Sequence, residues 1–494
     1  MRIFLVGMMG SGKTTVGKKV AEALNLKFLD MDEMIEMRHG KSVMKIFEDE
    51  GEKVFRESEK RILKEIISEG DGVVVATGGG VVLDPENREL LKKEKTFFLD
   101  VPLEELMTRV DPSTRPLIKD DVNKLEKIWE ERKKLYMEFE KISLRNLKPW
   151  EAVARICMEV VNGNEMIIES NVHPLIIKLG GLKKAKKYRY VFTTERIARI
   201  YEPYLPEDSL ILPDGEETKS LDYLKVCYEY LMERKMTKDE TLIGIGGGAL
   251  TDLTGFVAST FKRGTGLVLF PTTLLAQVDA AVGGKNAISF GGVKNIVGTI
   301  KMPDEVIMDP VVVLSMDDDR FREGLVEAFK MSLLSGRGLE IFIERTTELL
   351  KRKLSALIEI VRISAEEKLK VVEKDPNDAG VRKILNLGHT LGHAVESILG
   401  IPHGLAVAWG IEKEMALFVK RGMVERKFYE EVRNVLERIV DFSSFESVKA
   451  EEVMQLVAND KKGSRSGKIH IPIVDRPGKV QLVPIEPVEL MEVL

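Results

Sequence analysis

The run Gly7-Met8-Met9-Gly10-Ser11-Gly12-Lys13-Thr14 constrains this chain more than any other stretch. It follows a short apolar segment, residues 3–6, and leads into a helical pattern that continues through Leu24. Strand, glycine turn and helix in that order make a P-loop, which commits the first part of the chain to an α/β fold built on a parallel sheet. The glycines let backbone N–H groups close around phosphate oxygens. Gly10, Gly12, Lys13, Thr14 and Thr15 are therefore candidate nucleotide-binding residues, with Lys13 on the β and γ phosphates and Thr14 on Mg²⁺. The alternative, a glycine-rich turn that happens to carry a lysine, leaves the flanking strand and helix unexplained.

Downstream, Lys27-Phe-Leu-Asp30-Met-Asp32 reads as a strand ending in two aspartates, which its period of two puts on the same side. One suits a metal and the other a substrate hydroxyl. A buried strand, Val73–Ala76, runs into Thr77-Gly78-Gly79-Gly80, the kind of strand end where open α/β sheets bind ligands. Arg56, taken singly, reads as a surface charge.

A length of 494 residues, 44% hydrophobic and 31% charged, fits roughly three globular domains. The net charge of −5 supplies no basic field for nucleic acid or an anionic membrane surface, so small-molecule chemistry is favoured. Cys157 and Cys227 stand far apart without metal-type spacing, which points to buried thiols in a reducing, cytoplasmic setting. Lys13 interrupts the N-terminal apolar run where a signal peptide would continue, and no run of about 18 apolar residues occurs. Helical spacing over 152–161 ends at Asn162-Gly163-Asn164, which places a short boundary near 162–165, and residues 165–178 read as two strands around a turn.

Residues 188–310 alternate strands with helices, as a nucleotide-binding α/β domain does. The strand at Thr241 leads into Gly246-Gly247-Gly248 and on to Asp252, a second glycine turn opening a helix, without the dinucleotide fingerprint. Lysines placed after glycines, as Lys285 and Lys294 are, suit anion capture in a cleft, although each also reads as a solvated surface charge. From Val311 the chain looks mainly helical, and Glu327 and Lys330 share a helix face.

Three of the six histidines crowd into residues 382–404. A helix over 382–399 would align Arg382, Asn386, His389 and His393 on one face, and Pro402 would turn the chain to bring His403 beside His389. Spacing alone prefers His389 with His393 as metal ligands. Glu327 would add the oxygen of a Glu/His/His site with an open position.

Two resemblances sharpen these readings. The first 160 or so residues resemble shikimate kinase, through the P-loop, Asp30-x-Asp32, Gly51-Glu52…Phe55-Arg56, the Gly78–Gly80 triplet, Arg115-Pro-Leu and Arg132-x-x-Leu-Tyr136. The resemblance implies that Asp32, Arg56, Gly78, Gly79, Gly80 and Arg132 hold shikimate and that Asp30 and Thr14 organise Mg²⁺. Arg115 would sit in a lid over ATP, Arg145 would touch adenine, and Lys13, Asp32 and Arg115 would act in catalysis.

Residues 165–494 resemble 3-dehydroquinate synthase, through Gly215-Glu216-x-x-Lys219, Gly246–Asp252, Arg263-Gly264, Pro271–Asp279, Gly283-Gly284-Lys285, Lys294-Asn295, Gly324-x-x-Glu327-x-x-Lys330 and Arg382–Gly404. That resemblance implies a zinc site of Glu327, His389 and His403. It puts Glu216, Lys219, Gly247, Gly248, Asp252, Thr272, Thr273 and Leu275 around NAD. Arg263, Asp279, Lys285, Lys294, Asn295, Lys330, Lys368, Arg382, Asn386, His393 and Lys461 would surround the substrate, with Asp279, Lys285, Lys330 and His393 catalytic. Pro376, where the family has an acidic residue, and Thr193-Thr194, where it often has Thr-Asn, are departures.

The expected architecture is an α/β P-loop kinase domain over 1–162, with a parallel sheet and helices on both faces. A two-part synthase module follows: a Rossmann-like NAD-binding domain over 165–310 and a mainly helical metal and substrate domain over 311–494. The expected function is bifunctional. One site phosphorylates shikimate with ATP and Mg²⁺. The other converts 3-deoxy-D-arabino-heptulosonate 7-phosphate to 3-dehydroquinate and phosphate with catalytic NAD and Zn²⁺, or Co²⁺ in its place. A cytoplasmic homodimer joined through the synthase module is expected. The alternative is a P-loop kinase or nucleotide-sensing domain fused to a metal-dependent polyol dehydrogenase, which would make net NADH.

Overall fold

In the computed structural model of the chain, two compact units meet the eye in sequence order, Met1–Asn162 and Gly163–Leu494. The structure describes every residue except 112–115, 119–120, 122–123, 164, 379 and 461–467. Arg115 and Lys461 thus lie outside the described residues.

The first unit is organised around β1 (Arg2–Val6), in which Ile3, Phe4, Leu5 and Val6 are all fully buried. Burial on both faces is what a parallel sheet covered by helices requires. With β2 (Lys27–Asp30), β3 (Val73–Ala76), β4 (Lys95–Asp100) and β5 (Glu140–Ser143), it forms a five-stranded parallel sheet in the order β2-β3-β1-β4-β5. Leu5 and Asp30 both pair with Ala76, so the P-loop, the aspartates and the glycine triplet leave the sheet at the same end. Here one expectation is corrected. The strand stops at Asp30, whose carboxylate accepts a hydrogen bond from the Asp32 amide at 3.0 Å and caps helix Met31–His39. Asp32 belongs to the first helical turn, because an aspartate at a strand end is also a strong N-cap.

The second unit holds a seven-stranded sheet of β6 (Met166–Ile168), β7 (Leu175–Ile177), β8 (Tyr190–Thr194), β9 (Leu210–Leu212), β10 (Thr241–Gly246), β11 (Gly266–Pro271) and β14 (Glu305–Met308). The order is β6-β7-β14-β11-β10-β8-β9, parallel except for the β6–β7 pair. The antiparallel hairpin of β12 (Lys285–Phe290) and β13 (Val293–Ile300) stands apart from that sheet and leaves Phe290, Val293, Ile296 and Ile300 exposed.

Among the described residues from Pro310 onward, the unit is helical apart from one hairpin, β15 (Ile469–Arg476) with β16 (Lys479–Ile485). Glu327 and Lys330 lie on helix Asp318–Ser335, and Lys368 on Leu354–Lys374. The expected helix over 382–399 is also corrected. Val381–Asn386 is a 3₁₀ turn, Gly388 adopts φ 76°, and a new α-helix, His389–Leu399, starts after it, so Arg382 and Asn386 do not share its face. Glycine tolerates that left-handed conformation, and this one also has no room for a Cβ, which would stand 2.5 Å from Ile411 and 2.7 Å from the Val407 carbonyl. Helix His403–Lys420 packs against it through Gly410 and Gly392. Among the described residues, no helix is long and apolar enough to cross a membrane.

Candidate active sites

In the first unit, Lys13 Nζ donates to the carbonyls of Gly7 and Met8 at 2.8 and 2.9 Å, inside its own loop. Thr14 Oγ1 donates to Asp30 Oδ2 at 2.7 Å, so the two oxygens expected at Mg²⁺ are already side by side. Gly12 precedes the helix at φ 86°, Gly10 packs against Val110, and Thr15 is exposed in the first turn.

The glycine triplet gathers the other groups. Arg132, 4% exposed, donates through Nη1 to the Gly79 carbonyl at 3.1 Å, and the Tyr136 hydroxyl donates to the same oxygen. A Cβ on Gly78 would run into Glu59 Oε1 and stand 2.9 Å from Asp32 Oδ1, while one on Gly80 would run into the Arg56 guanidinium. Asp32, Arg56 and Arg132 therefore converge there, two arginines facing one small space, as recognition of a carboxylate requires.

Glu59 belongs to this cluster and was missed by the sequence reading. It sits three residues after Arg56 on helix Glu52–Ser68, a spacing that could have revealed it, and accepts from Arg56 Nη1 at 3.0 Å. Burial pushes its carboxyl up to about 7, against the pull of Arg56, with Asp32 adding to the rise. Arg145 is 68% exposed and faces Glu104 at 3.9 Å, and nothing joins it to the rest among the described residues.

In the second unit two groups form. Lys219, 3% exposed, donates to Asp252 Oδ2 at 2.7 Å, reaches Asn295 Oδ1, and lies 3.6 Å from Glu216. Burial raises the Asp252 carboxyl to about 6, opposed by Lys219. This cluster lies at the start of helix Gly248–Thr260, where the Thr272 amide donates to the Gly246 carbonyl at 2.9 Å and Gly247 approaches Thr273. Leu275 sits beside Gly324. Asn295, expected at the substrate, is thus placed among the candidate NAD residues.

The second group surrounds the histidines. Lys368 Nζ donates to Asp279 Oδ1, the lysine buried and the aspartate 26% exposed, and Lys330 pairs with Glu327 at 2.5 Å with both partners buried. Burial alone would raise the Asp279 carboxyl, but Lys368 and Lys330 override it and hold it below the usual range. Arg382 is buried and donates to the carbonyls of Gly283 and Pro376. Lys285 pairs with Asp378, and Lys294 with Glu396 at 3.1 Å. Arg263 and Asn386 are exposed.

His389, His393 and His403 present ligand nitrogens within 4.8 Å of one another. Glu327 is 1% exposed, its Oε1 accepts no hydrogen bond among the described residues, and it lies 3.6 Å from His403 Nε2. A buried carboxylate oxygen without a donor beside imidazoles is what a cation site leaves when read from side chains alone. The Leu387 carbonyl lies 3.0 Å from His389 Nδ1, and Glu396 2.9 Å from His403 Nδ1, so each ring keeps Nε2 for a metal. Burial, helped by Lys330, pushes His389 well below its ordinary value, toward the neutral form that binds metals. Nitrogen and carboxylate donors of this kind fit Zn²⁺. All three histidines share the site, so the spacing-based pair and the pair implied by resemblance are both within reach.

Comparison with known proteins follows the same division. The family model for shikimate kinase matches residues 9–162, that for 3-dehydroquinate synthase N-terminal matches 209–323, and that for 3-dehydroquinate synthase C-terminal matches 324–463. The bifunctional shikimate kinase/3-dehydroquinate synthase of Thermotoga maritima is 52% identical over 494 residues, covering all of both chains. The 3-dehydroquinate synthase of Pyrobaculum aerophilum is 39% identical over 275 residues, 55% of this chain and 79% of that one. Among solved structures, a 2-epi-5-epi-valiolone synthase from Streptomyces hygroscopicus, with NAD⁺ and Zn²⁺ bound, superposes with a TM-score of 0.60. It is 19% identical and covers 67% of this chain and 98% of that one, which establishes a shared fold for the second unit.

Proposed function

Because the chain belongs to the family of bifunctional shikimate kinase/3-dehydroquinate synthases, we propose that it carries both reactions in separate centres. Residues 1–162 would phosphorylate shikimate to shikimate 3-phosphate with ATP and Mg²⁺. Residues 165–310 would hold NAD, and residues 311–494 would supply the metal and most of the substrate site for making 3-dehydroquinate and phosphate. The observation that carries the reading is the buried Glu327 carboxylate beside three histidines, in a chain that also carries Lys13 in a P-loop.

In the kinase centre, Lys13 would exchange its two loop carbonyls for phosphate oxygens, and Thr14 with Asp30 would hold Mg²⁺. Arg56 and Arg132 would clamp the shikimate carboxylate, leaving Asp32 to orient the hydroxyl that accepts the phosphoryl group. Arg115 would close over ATP and Arg145 would contact adenine. Catalysis there is positioning and charge.

In the synthase centre, bound NAD supplies reversible oxidation and bound Zn²⁺, or Co²⁺, supplies a Lewis acid. Glu327, His389 and His403 would hold the metal, while Glu216, Lys219, Asp252, the Gly247-Gly248 turn, Thr272, Thr273 and Leu275 would line NAD. Lys285, Lys294, Lys330, Lys368, Arg382 and Lys461 would bind the substrate's phosphate and carboxylate. Arg263, Asn295 and Asn386 would contact its remaining polar groups. Asp279, fixed by Lys368, and His393 would move protons at substrate hydroxyls. The chain would work as a cytoplasmic homodimer joined through the second unit, and the exposed apolar residues of β13 support such a contact.

The test is a pair of assays on wild type, Lys13→Ala and His389→Ala. Lys13→Ala should lose only kinase activity, and His389→Ala only phosphate release from the heptulosonate phosphate. Loss of both activities in one folded variant would overturn independent centres. Net NADH production would turn the second unit into a dehydrogenase.

A further inference from the structure

Helices His389–Leu399 and His403–Lys420 each begin at a candidate metal ligand. The start of a helix carries unpaired amides and partial positive charge, so a cation bound there faces two unfavourable helix ends. The His403 helix is served by Glu323, whose Oε1 accepts from the Gly404 amide at 3.4 Å. The His389 helix cannot be capped by its own preceding residue. That residue is Gly388, and the close approach of Ile411 and Val407 excludes any side chain there.

The cap comes instead from Glu414, two helical turns beyond Val407 on the neighbouring helix. Its Oε2 accepts from the Gly388 amide at 2.9 Å and its Oε1 from the Leu391 amide at 3.2 Å, with the Thr390 amide also bonded to the carboxyl. The side chain is 0% exposed. These amides flank His389 on both sides. A carboxyl group that holds them fixes the first turn, and with it the direction in which the imidazole leaves the backbone.

We infer that Glu414 is a positioning residue for the metal centre, holding the first turn of the His389 helix in register with Glu327 and His403. The inference rests on the proposed metal site. Glu412, two residues away on the same helix, gives a matched control: it is also largely buried, but it accepts from the Tyr429 hydroxyl at 2.5 Å.

The experiment measures the Zn²⁺ dissociation constant of the full chain by chelator competition, and the visible absorption of the Co²⁺-loaded protein. The proteins are wild type, His389→Ala, Glu414→Gln, Glu414→Asp, Glu414→Ala and Glu412→Gln, with the cooperative thermal unfolding of the second unit in the same samples reporting that it is folded. Outer partners of metal ligands typically change affinity about 10- to 100-fold. Glu414→Gln should weaken Zn²⁺ binding about tenfold and Glu414→Ala further, Glu414→Asp should recover part of the loss, and the Co²⁺ bands should move. Glu412→Gln should match wild type. Should Glu414→Ala fail to fold, Glu414→Gln decides. A Glu414→Gln constant within twofold of wild type, or an equal loss in Glu412→Gln, overturns the inference while leaving the metal site standing. Wild type that binds no Zn²⁺, or binding indifferent to His389→Ala, removes the metal site and the inference together.

Discussion

The ion pairs that join separate elements span different distances along the chain in the two centres. In the first unit, Arg56 finds Glu52 and Glu59 on its own helix, and Thr14 meets Asp30 sixteen residues on. In the second, Lys368 meets Asp279 across 89 positions, Lys294 meets Glu396 across 102, and Glu414 reaches back 26 to Gly388. Local partners survive a shift of the surrounding fold because one element carries both. Distant partners depend on several elements meeting correctly, so the second centre should be the more easily disrupted.

The largest expected effect comes from Gly410→Ala. An added Cβ would overlap the Gly388 carbonyl oxygen and stand 2.9 Å from the Gly392 amide, and neither backbone can yield. Phosphate release should fall at least about 100-fold, since small displacements near reacting groups cost about that much, with kinase turnover within about twofold. Equal loss of both activities would break the contrast. Next is Lys368→Met, which strands Asp279 without its principal partner. Breaking a fully buried pair costs about 3 kcal/mol, and with Asp279 26% exposed the loss should be smaller, read as a lowered denaturant midpoint for the second unit; an unchanged midpoint would show that Lys330 alone suffices.

A smaller effect tests the first centre. Glu59 titrates near 7 in the folded chain, above its ordinary 4.5, so the folded state holds the extra proton between those values. Its contribution to stability is full below pH 4.5 and is lost as pH rises through 7, with a slope of at most about 1.4 kcal/mol per pH unit. Glu59→Gln should flatten the first unit's melting temperature over that window relative to wild type. Parallel curves would mean that Arg56 keeps Glu59 ionised throughout.

The same contrast explains what could be read in advance. The P-loop, the Val73–Ala76 strand and the helix start at Gly248 follow from contiguous patterns, because strand, glycine turn and helix are specified locally. The alignment of Arg382 and Asn386 with the histidines failed at Gly388, where packing against Ile411 outweighs helical continuity. The strand carrying Asp30 ended early because that residue is also a cap. Glu396 could have been found, three residues after His393 on one helix face. Glu414 could not, since nothing in its own neighbourhood signals the amides it serves.

Strand β6 is three residues long, largely exposed, antiparallel to β7, and tethered through Glu165 to Lys178 at 3.2 Å and Lys184 at 3.0 Å. Strand β7 is wholly buried behind it. A shortened protein starting at Asn171 would bare the backbone edge of β7, an apolar template for pairing between molecules. It should precipitate on refolding, whereas one starting at Gly163 keeps the guard strand and should stay dispersed.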